Sequence, residues 1–367
     1  MTGFGVLILG GYGNFGARIA RLLAANPSPR LVISGRDGTK AETLANRLRG
    51  EFPGLQVEGI CLDLNDKNLT ARIADLGCDV AIHTAGPFQG QDFGVAGACI
   101  DAGVHYIDLA DGRAFVNGFE ILNDRAVKAE VLAVSGASSF PGLSMAVVDK
   151  LASALPILED VDIALAIAGK YPPGLATTQA ILAYCGKPIP VWKHSEWSME
   201  TGWLDLTWRR IPGLGWRLLG LCDVPDLELL PKLFPQIKDS VFRVALESRL
   251  AQFGFAVMAT LGKWGWVGDW RPLAPLIDRL AYWIRHLGTD VSAMTISVAG
   301  GGVRRSYNLK AGSGHGPMIP CLPSVVLVRK LIRGELRLRG AMPCRGLYTL
   351  EELESAFDGL DISRTIA

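Results

Sequence analysis

The chain carries almost no excess charge: 37 lysines and arginines stand against 36 aspartates and glutamates, a net charge of +1. A polypeptide so balanced offers no electrostatic footprint for nucleic acid. Paired cysteines are missing too. The seven present (Cys61, Cys78, Cys99, Cys185, Cys222, Cys321 and Cys344) are odd in number, scattered, and form no C-x-x-C. That argues against a disulfide framework or a zinc site, and for reduced thiols in a cytoplasmic setting. Mean hydropathy is high at +0.25, yet no apolar run is long enough to cross a membrane. The longest uncharged stretch, Val131 to Val148, is interrupted by Ser135-Gly136, Ser138-Ser139 and Pro141-Gly142 and reads as strand, loop and helix start. The first strand begins so near Met1 that a signal peptide finds no room. A Ser-His-Asp order, a His/Asp metal spacing and a P-loop lysine are all lacking, so no metal is expected. With 367 residues, two domains are expected, each large enough for its own core.

What the chain does have stands at its start. Gly5-Val6-Leu7-Ile8-Leu9-Gly10 is an apolar run that reads as a buried strand, and Gly11-Tyr12-Gly13-Asn14-Phe15-Gly16 follows it directly. Beyond lies a helical pattern, with Phe15, Ile19, Leu22 and Leu23 on one face and Asn26-Pro27 to stop it. Strand, G-x-G-x-x-G and helix in that order form a dinucleotide-binding signature. Gly11 makes the tight turn, Gly13 lets backbone approach a pyrophosphate, and Gly16 lets helix and strand pack closely. The helix N-terminus then faces the phosphates. A second strand, Leu31-Val32-Ile33, ends in Ser34-Gly35-Arg36 where an NAD-binding chain usually carries an acidic residue for the ribose hydroxyl. A hydroxyl, a glycine and a guanidinium suit a 2′-phosphate instead, which predicts NADP as cofactor. Asp37, one residue on, is the competing signal.

Strands and helices go on alternating. A third strand, Leu55 to Leu62, ends in Asp63, which either lies beside the adenine or caps a helix from Asn65 onward. Asp79 to His83 is a fourth strand; it delivers Ala85-Gly86-Pro87, small residues that let backbone lie against a ribose or nicotinamide. His83, on a buried strand, reads as a core residue. A fifth strand, Val104 to Leu109, leads to Asp111-Gly112-Arg113, and a sixth, Val131 to Val134, leads to a Ser/Ala-rich loop closing in Pro141-Gly142. The predicted fold is α/β: a Rossmann doubly wound parallel sheet, followed by a second α+β domain with a mixed sheet.

Four of these features together (the glycine start, Ala85-Gly86-Pro87-Phe88, Tyr106-Ile107-Asp108-Leu109 and the loop ending in Pro-Gly) resemble the saccharopine dehydrogenase-like family. Val224-Pro225-Asp226 and Gly340-Ala341-Met342-Pro343-Cys344-Arg345-Gly346 extend the resemblance along the chain, toward that family's uncharacterised oxidoreductase branch. The resemblance implies an NADPH-dependent oxidoreductase; the family's lysine-pathway members reduce an imine formed between an amino acid and an aldehyde. It also implies that the C-terminal segment, 316–367, returns to the nucleotide domain (1–143). After the fifth strand the family tends to show Gly-Glu, whereas this chain has Asp111-Gly112-Arg113.

The second domain, 144–315, holds strand candidates at Asp160 to Ile167, Trp192 to Trp208, Ser240 to Glu247, Ala293 to Val298 and Arg304 to Leu309, the last two forming a hairpin through Gly300-Gly301-Gly302. Helices are expected at Ala176 to Tyr184, Leu250 to Leu261 and Leu273 to Leu287. All nine tryptophans fall between Trp192 and Trp283, fit for a core, a homodimer interface, an apolar substrate groove or a peripheral membrane contact, and a homodimer joined through this domain is expected. Asp111 and Tyr171 are the catalytic candidates, with Tyr106 a third; each also has a plain structural reading as a loop carboxylate or a core tyrosine. The reactive carbon is expected between the Asp111 and Tyr171 loops. Arg113 and Lys170 are the only obvious cations at these two loops. The expected partner is therefore a small, partly apolar molecule that accepts hydride at a C=N or activated C=C bond. The alternative is an NADP-binding scaffold or sensor without turnover.

Overall fold

The computed structural model describes residues 3–25, 29–171 and 174–367; the helix stop expected at Asn26-Pro27 lies outside them. Six strands come first: β1 (Gly5–Leu9), β2 (Arg30–Gly35), β3 (Val57–Cys61), β4 (Val80–His83), β5 (His105–Asp108) and β6 (Leu132–Ser135). β1, β4 and β6 are buried at every position. Continuous burial is what a parallel sheet covered on both faces requires. Leu7, Ile8 and Leu9 are fully buried, each contributing about 1.5–3 kcal/mol relative to exposure. The helix Asn14–Ala24 lays Gly16, Ile19, Ala20, Leu23 and Ala24 into this core.

The order of elements after β3 departs from expectation in one place. The next helix starts at Leu69 rather than Asn65. Asp63 accepts from the Asn65 amide at 3.0 Å and Asp66 from the Asn68 amide at 2.9 Å. These side-chain turns satisfy the backbone locally and delay the helix.

From Ser144 the architecture changes. β7 (Asp160–Ile167), β8 (Pro188–Lys193), β9 (Glu196–Thr201), β10 (Thr207–Ile211), β11 (Gly215–Leu221), β12 (Asp239–Leu246), β13 (Ser292–Gly300) and β14 (Val303–Ala311) belong to a second sheet. The run Trp192 to Trp208, read as strand candidates, resolves into parts of three strands. His194 and Ser195, both at positive φ, turn the chain between β8 and β9. β7 and β13 alternate buried and half-buried positions along most of their length. β13 and β14 pair antiparallel across Gly301 and Gly302, both at positive φ, as the triple glycine predicts.

The tail splits between the two bodies. β15 (Gly340–Pro343) adds to β6 in parallel, whereas β16 (Ile362–Ile366) pairs antiparallel with β14. The first sheet is thus parallel throughout, in the order β15-β6-β5-β4-β1-β2-β3. Its heart is the doubly wound order 3-2-1-4-5-6. The second runs β10-β11-β12-β7-β13-β14-β16, with β8 and β9 attached through β12. The β12–β7 pair is parallel and its neighbours antiparallel, so this sheet is mixed. By contacts the chain divides into 1–143 with 318–356, and 144–317 with 357–367. The expectation that 316–367 returns as one piece is therefore corrected: its final strand finds its open edge in the second sheet. A capping box at Thr349 and Glu352 starts the last helix of the returning part.

Candidate functional site

The first unit gathers three loops at the carboxyl ends of β1, β2 and β4. The glycine loop is tightest. Gly10 takes φ +76° and makes the turn, and the Gly13 amide closes it onto the Gly10 carbonyl at 2.9 Å. A Cβ on Gly11 would stand 2.8 Å from Ile33 Cγ2, and one on Gly16 would stand 2.6 Å from the Gly10 carbonyl oxygen and 2.7 Å from Gly11 Cα. Helix and strand therefore touch backbone to backbone, the approach expected of Gly16, while the left-handed turn falls to Gly10 rather than Gly11. Gly13 caps the helix Asn14–Ala24 with no side-chain hydrogen bond. An N-terminus left without a side-chain cap is a favourable place for a phosphate.

At the end of β2 the sequence-predicted residues part ways. Ser34 is buried and its hydroxyl donates to the Ile8 carbonyl at 3.1 Å. That proton is committed inside the sheet, so Ser34 does not present its hydroxyl to a ligand as expected. Gly35 instead makes room for Tyr12: a Cβ there would lie 2.4 Å from Tyr12 Cε1, and the Tyr12 hydroxyl accepts from the Asp37 amide at 3.1 Å. Asp37, the competing signal for a ribose hydroxyl, caps the next helix and accepts from the Lys40 amide at 3.1 Å. These hydrogen bonds, with the Lys40 ammonium beside it, hold its carboxyl below the usual range. Arg36 is exposed and has no carboxylate partner among the described residues. Its guanidinium remains available for a phosphate.

The loop after β4 packs on the glycine turn. The Thr84 hydroxyl donates to the Leu9 carbonyl at 2.8 Å, and a Cβ on Gly10 would meet Ala85 Cβ at 3.1 Å. The Gln91 side chain fixes the loop by donating to the carbonyls of Ala85 and Pro87 at 3.0 and 2.7 Å. Asp111 follows β5 and accepts from Gln89 Nε2 at 3.0 Å. Burial pushes its carboxyl up, against the opposing pull of that hydrogen bond.

Residues 6–134 match the family model described as the saccharopine dehydrogenase NADP binding domain. Over the whole chain the fold resembles that of the apo saccharopine dehydrogenase (L-Glu forming) from Saccharomyces cerevisiae. The likeness has a TM-score of 0.68 at 14% identity and covers 100% of both chains. Residues 6–134 are thus similar to a saccharopine dehydrogenase NADP-binding domain, and the rest of the chain shares that enzyme's fold. Two polyketide synthases from Streptomyces halstedii, GfsA and GfsB, also match, at 35% and 42% identity over 89 and 88 residues. Those segments are 22% of this chain but only 1% and 2% of the synthases' own length.

The remaining candidates take quieter places. Tyr106 is fully buried at the middle of β5, stacked on Phe119 with ring centroids 5.8 Å apart. Its hydroxyl hydrogen-bonds His83 Nδ1 at 2.9 Å. Burial drives the His83 pKa down to about 4, so the imidazole is neutral and both residues belong to the core. Asp63 is exposed and spends its carboxylate on Asn65. Arg113 is buried and engaged. Asp111 belongs to the first unit and Tyr171 to the second; the Tyr171 ring closes on Gly314, where a Cβ would sit 2.4 Å from Tyr171 Cζ. Lys170 pairs with Asp290 at 3.6 Å. No group of three or more potential metal ligands occurs among the described residues.

Sequence reasoning missed the role of Asp108. Fully buried at the end of β5, it accepts from the Ala110 amide, the Ser135 hydroxyl and the Gly136 amide at 2.9, 3.0 and 2.8 Å. It thereby ties the loops after β5 and β6 together. Burial raises its pKa to about 6, opposed by those same bonds. The signal was the acid within Tyr106-Ile107-Asp108-Leu109, quoted for resemblance but given no task.

Proposed function

We propose that the protein is an NADPH-dependent oxidoreductase that transfers hydride to a C=N or activated C=C bond of a small, partly apolar molecule. The observation that carries this reading is the meeting of the Gly10–Gly16 turn, the exposed Arg36 and the Thr84–Pro87 loop in one unit whose family model is an NADP-binding domain. The first would hold the pyrophosphate, the second the 2′-phosphate, and the backbone at Ala85-Gly86-Pro87 the nicotinamide ribose. The cofactor supplies the hydride; the protein holds and orients it.

Protonation of the reduced atom needs an acid. Asp111 suits that task because burial holds its carboxyl above the ordinary range. The substrate bears little negative charge under this reading, because Lys170 is paired with Asp290 and Arg113 is buried and engaged. Saccharopine, with several carboxylates, is expected to be a poor substrate. Enoyl thioesters belong among the trial substrates, since a short segment of the chain matches polyketide synthases.

The test follows NADPH absorbance with a panel of imines and enoyl thioesters. Turnover with one of them, and a lower kcat for Asp111→Asn at little changed KM, supports the reading. Efficient NADP-dependent oxidation of saccharopine overturns the substrate assignment. Tight NADPH binding without turnover on any unsaturated substrate favours the scaffold alternative, in keeping with Asp111-Gly112-Arg113 in place of Gly-Glu.

A further inference from the structure

The second unit contains a helix built the wrong way round for a soluble protein. In Arg249–Lys263 the buried positions are Gln252, Ala256 and Ala259, while Leu250, Phe253 and Val257 stand 83%, 49% and 59% exposed. Phe255 alone of the large apolar residues packs on a fully buried ring, that of Trp203 at 4.6 Å, and the exposed set is far larger than an ordinary surface helix shows. Its successor, Ala274–Ile284, continues the pattern: only Ala274 is buried. Leu276, Leu280, Trp283 and Leu287 recur at helical spacing and are 53–79% exposed. Between the helices Trp264 and Trp266, 63% and 74% exposed, lie 5.8 Å apart. Monomeric soluble proteins rarely leave so many large apolar side chains uncovered.

Charge decides what covers it. Over 249–287 the basic residues are Arg249, Lys263, Arg271, Arg279 and Arg285, against the acidic Asp269 and Asp278, in a chain whose whole net charge is +1. Arg271 pairs with Asp269 at 2.9 Å, which leaves Arg249, Lys263, Arg279 and Arg285 among the exposed tryptophans and leucines with Asp278 alone against them. A second copy docking through the same face would oppose cation to cation, because a two-fold interface is self-complementary. An anionic lipid surface matches both features: leucines enter the acyl boundary, Trp and Tyr sit at headgroup depth, and arginines meet lipid phosphates. Arg285 lies 3.8 Å over the Tyr282 ring, a pairing suited to that depth. No helix among the described residues is long and apolar enough to span a bilayer, so contact is in the plane of the interface.

We infer that the helices Arg249–Lys263 and Ala274–Ile284, with the tryptophans between them, form a peripheral docking face for anionic lipid bilayers. The inference is independent of the cofactor and of the reaction.

The test is sedimentation of the full chain, without detergent, with vesicles of phosphatidylcholine alone or mixed with phosphatidylglycerol. The protein is expected to partition onto the mixed vesicles and to be released by high salt, which shortens the reach of the charge term. Arg279→Glu with Arg285→Glu should lower partitioning by at least about 25-fold, taking about fivefold per lost cation. Arg279→Lys with Arg285→Lys should preserve it. Leu280→Glu with Trp283→Glu should abolish it. All these side chains are exposed, so melting temperatures should stay close to the unmodified protein's. Failure to bind the mixed vesicles, or binding indifferent to both Glu pairs, overturns the inference. So does a dimer in solution that Leu280→Glu with Trp283→Glu dissolves while vesicles capture nothing.

Discussion

The two sheets use apolar residues in opposite ways. In the first, β1, β4 and β6 are buried at every position, and the site forms where strand ends and glycine turns leave backbone uncovered. In the second, β14 alternates and its N-terminal end is exposed, and the helices Arg249–Lys263 and Ala274–Ile284 turn large apolar side chains outward. The comparison teaches that hydrophobic composition does not by itself locate a core. In the nucleotide unit apolar residues hold the fold together; in the second unit many large ones stand exposed.

The sharpest way to break the comparison is at the contact where the first unit has no room. Gly16→Ala places a Cβ against the backbone of Gly10 and Gly11. It should cost about 1–3 kcal/mol of stability by overpacking and remove dinucleotide binding, read by urea melts and by NADPH fluorescence titration. Wild-type affinity in this variant would show that the turn does not hold the pyrophosphate. Next in size is Arg36→Glu. Loss of a charge-assisted bond to a phosphate is worth about 1.5–3 kcal/mol, so NADPH affinity should fall by roughly 10- to 100-fold while NADH affinity holds or rises. Equal affinity of the unmodified protein for the two cofactors would remove the basis for NADP.

A third prediction sets one buried carboxyl of each unit against the other. Asp108 is raised to about 6 and Asp226 to about 7, in both cases by burial. Asp226 is fully buried at the start of a helix and accepts a hydrogen bond from the Ser144 hydroxyl. A carboxyl with a raised folded pKa binds more protons folded than unfolded. Its contribution is complete below the ordinary aspartate range and is lost as pH rises through the folded value. Stability should therefore decline between about pH 4 and pH 7 on account of these groups, by an upper bound of roughly 3–4 kcal/mol each. Asp226→Asn should flatten the upper part of that slope and Asp108→Asn the lower part, in denaturant melts taken across the range. A slope that both variants leave unchanged would show that neither carboxyl is protonated in the fold. The smallest effect is expected where the second unit has room to spare. Gly254→Ala, on the exposed side of the helix Arg249–Lys263 with nothing within 4 Å of the new Cβ, should stabilise by about 0.5–1 kcal/mol, a gain thermal melts can check. Destabilisation there would mean that this helix face is covered.

The sequence alone determined the order of β1 to β6 and the helices between them, the glycine turn and the β13–β14 hairpin, because all of these rest on local spacing: continuous apolar runs, G-x-G-x-x-G, and glycines where φ must turn positive. The capping box at Thr349 was legible for the same reason. What only the tertiary structure decided concerns partners far apart in sequence. Ser34 and Arg36 are neighbours on one strand end, yet the first is taken by the Ile8 carbonyl and the second is left exposed. Asp37 was ambiguous until it was seen capping a helix. Asp108 acquired its task from Ser135 and Gly136 at the end of the adjoining strand. The short β15 had a recognised motif but no strand signal, because Gly340-Ala341-Met342-Pro343 is a strand only by virtue of the open edge of β6. Apolar periodicity says that a helix has two faces; which face meets the sheet depends on how closely the backbone must approach it, and at Ala256 and Ala259 that closeness turned the larger residues outward.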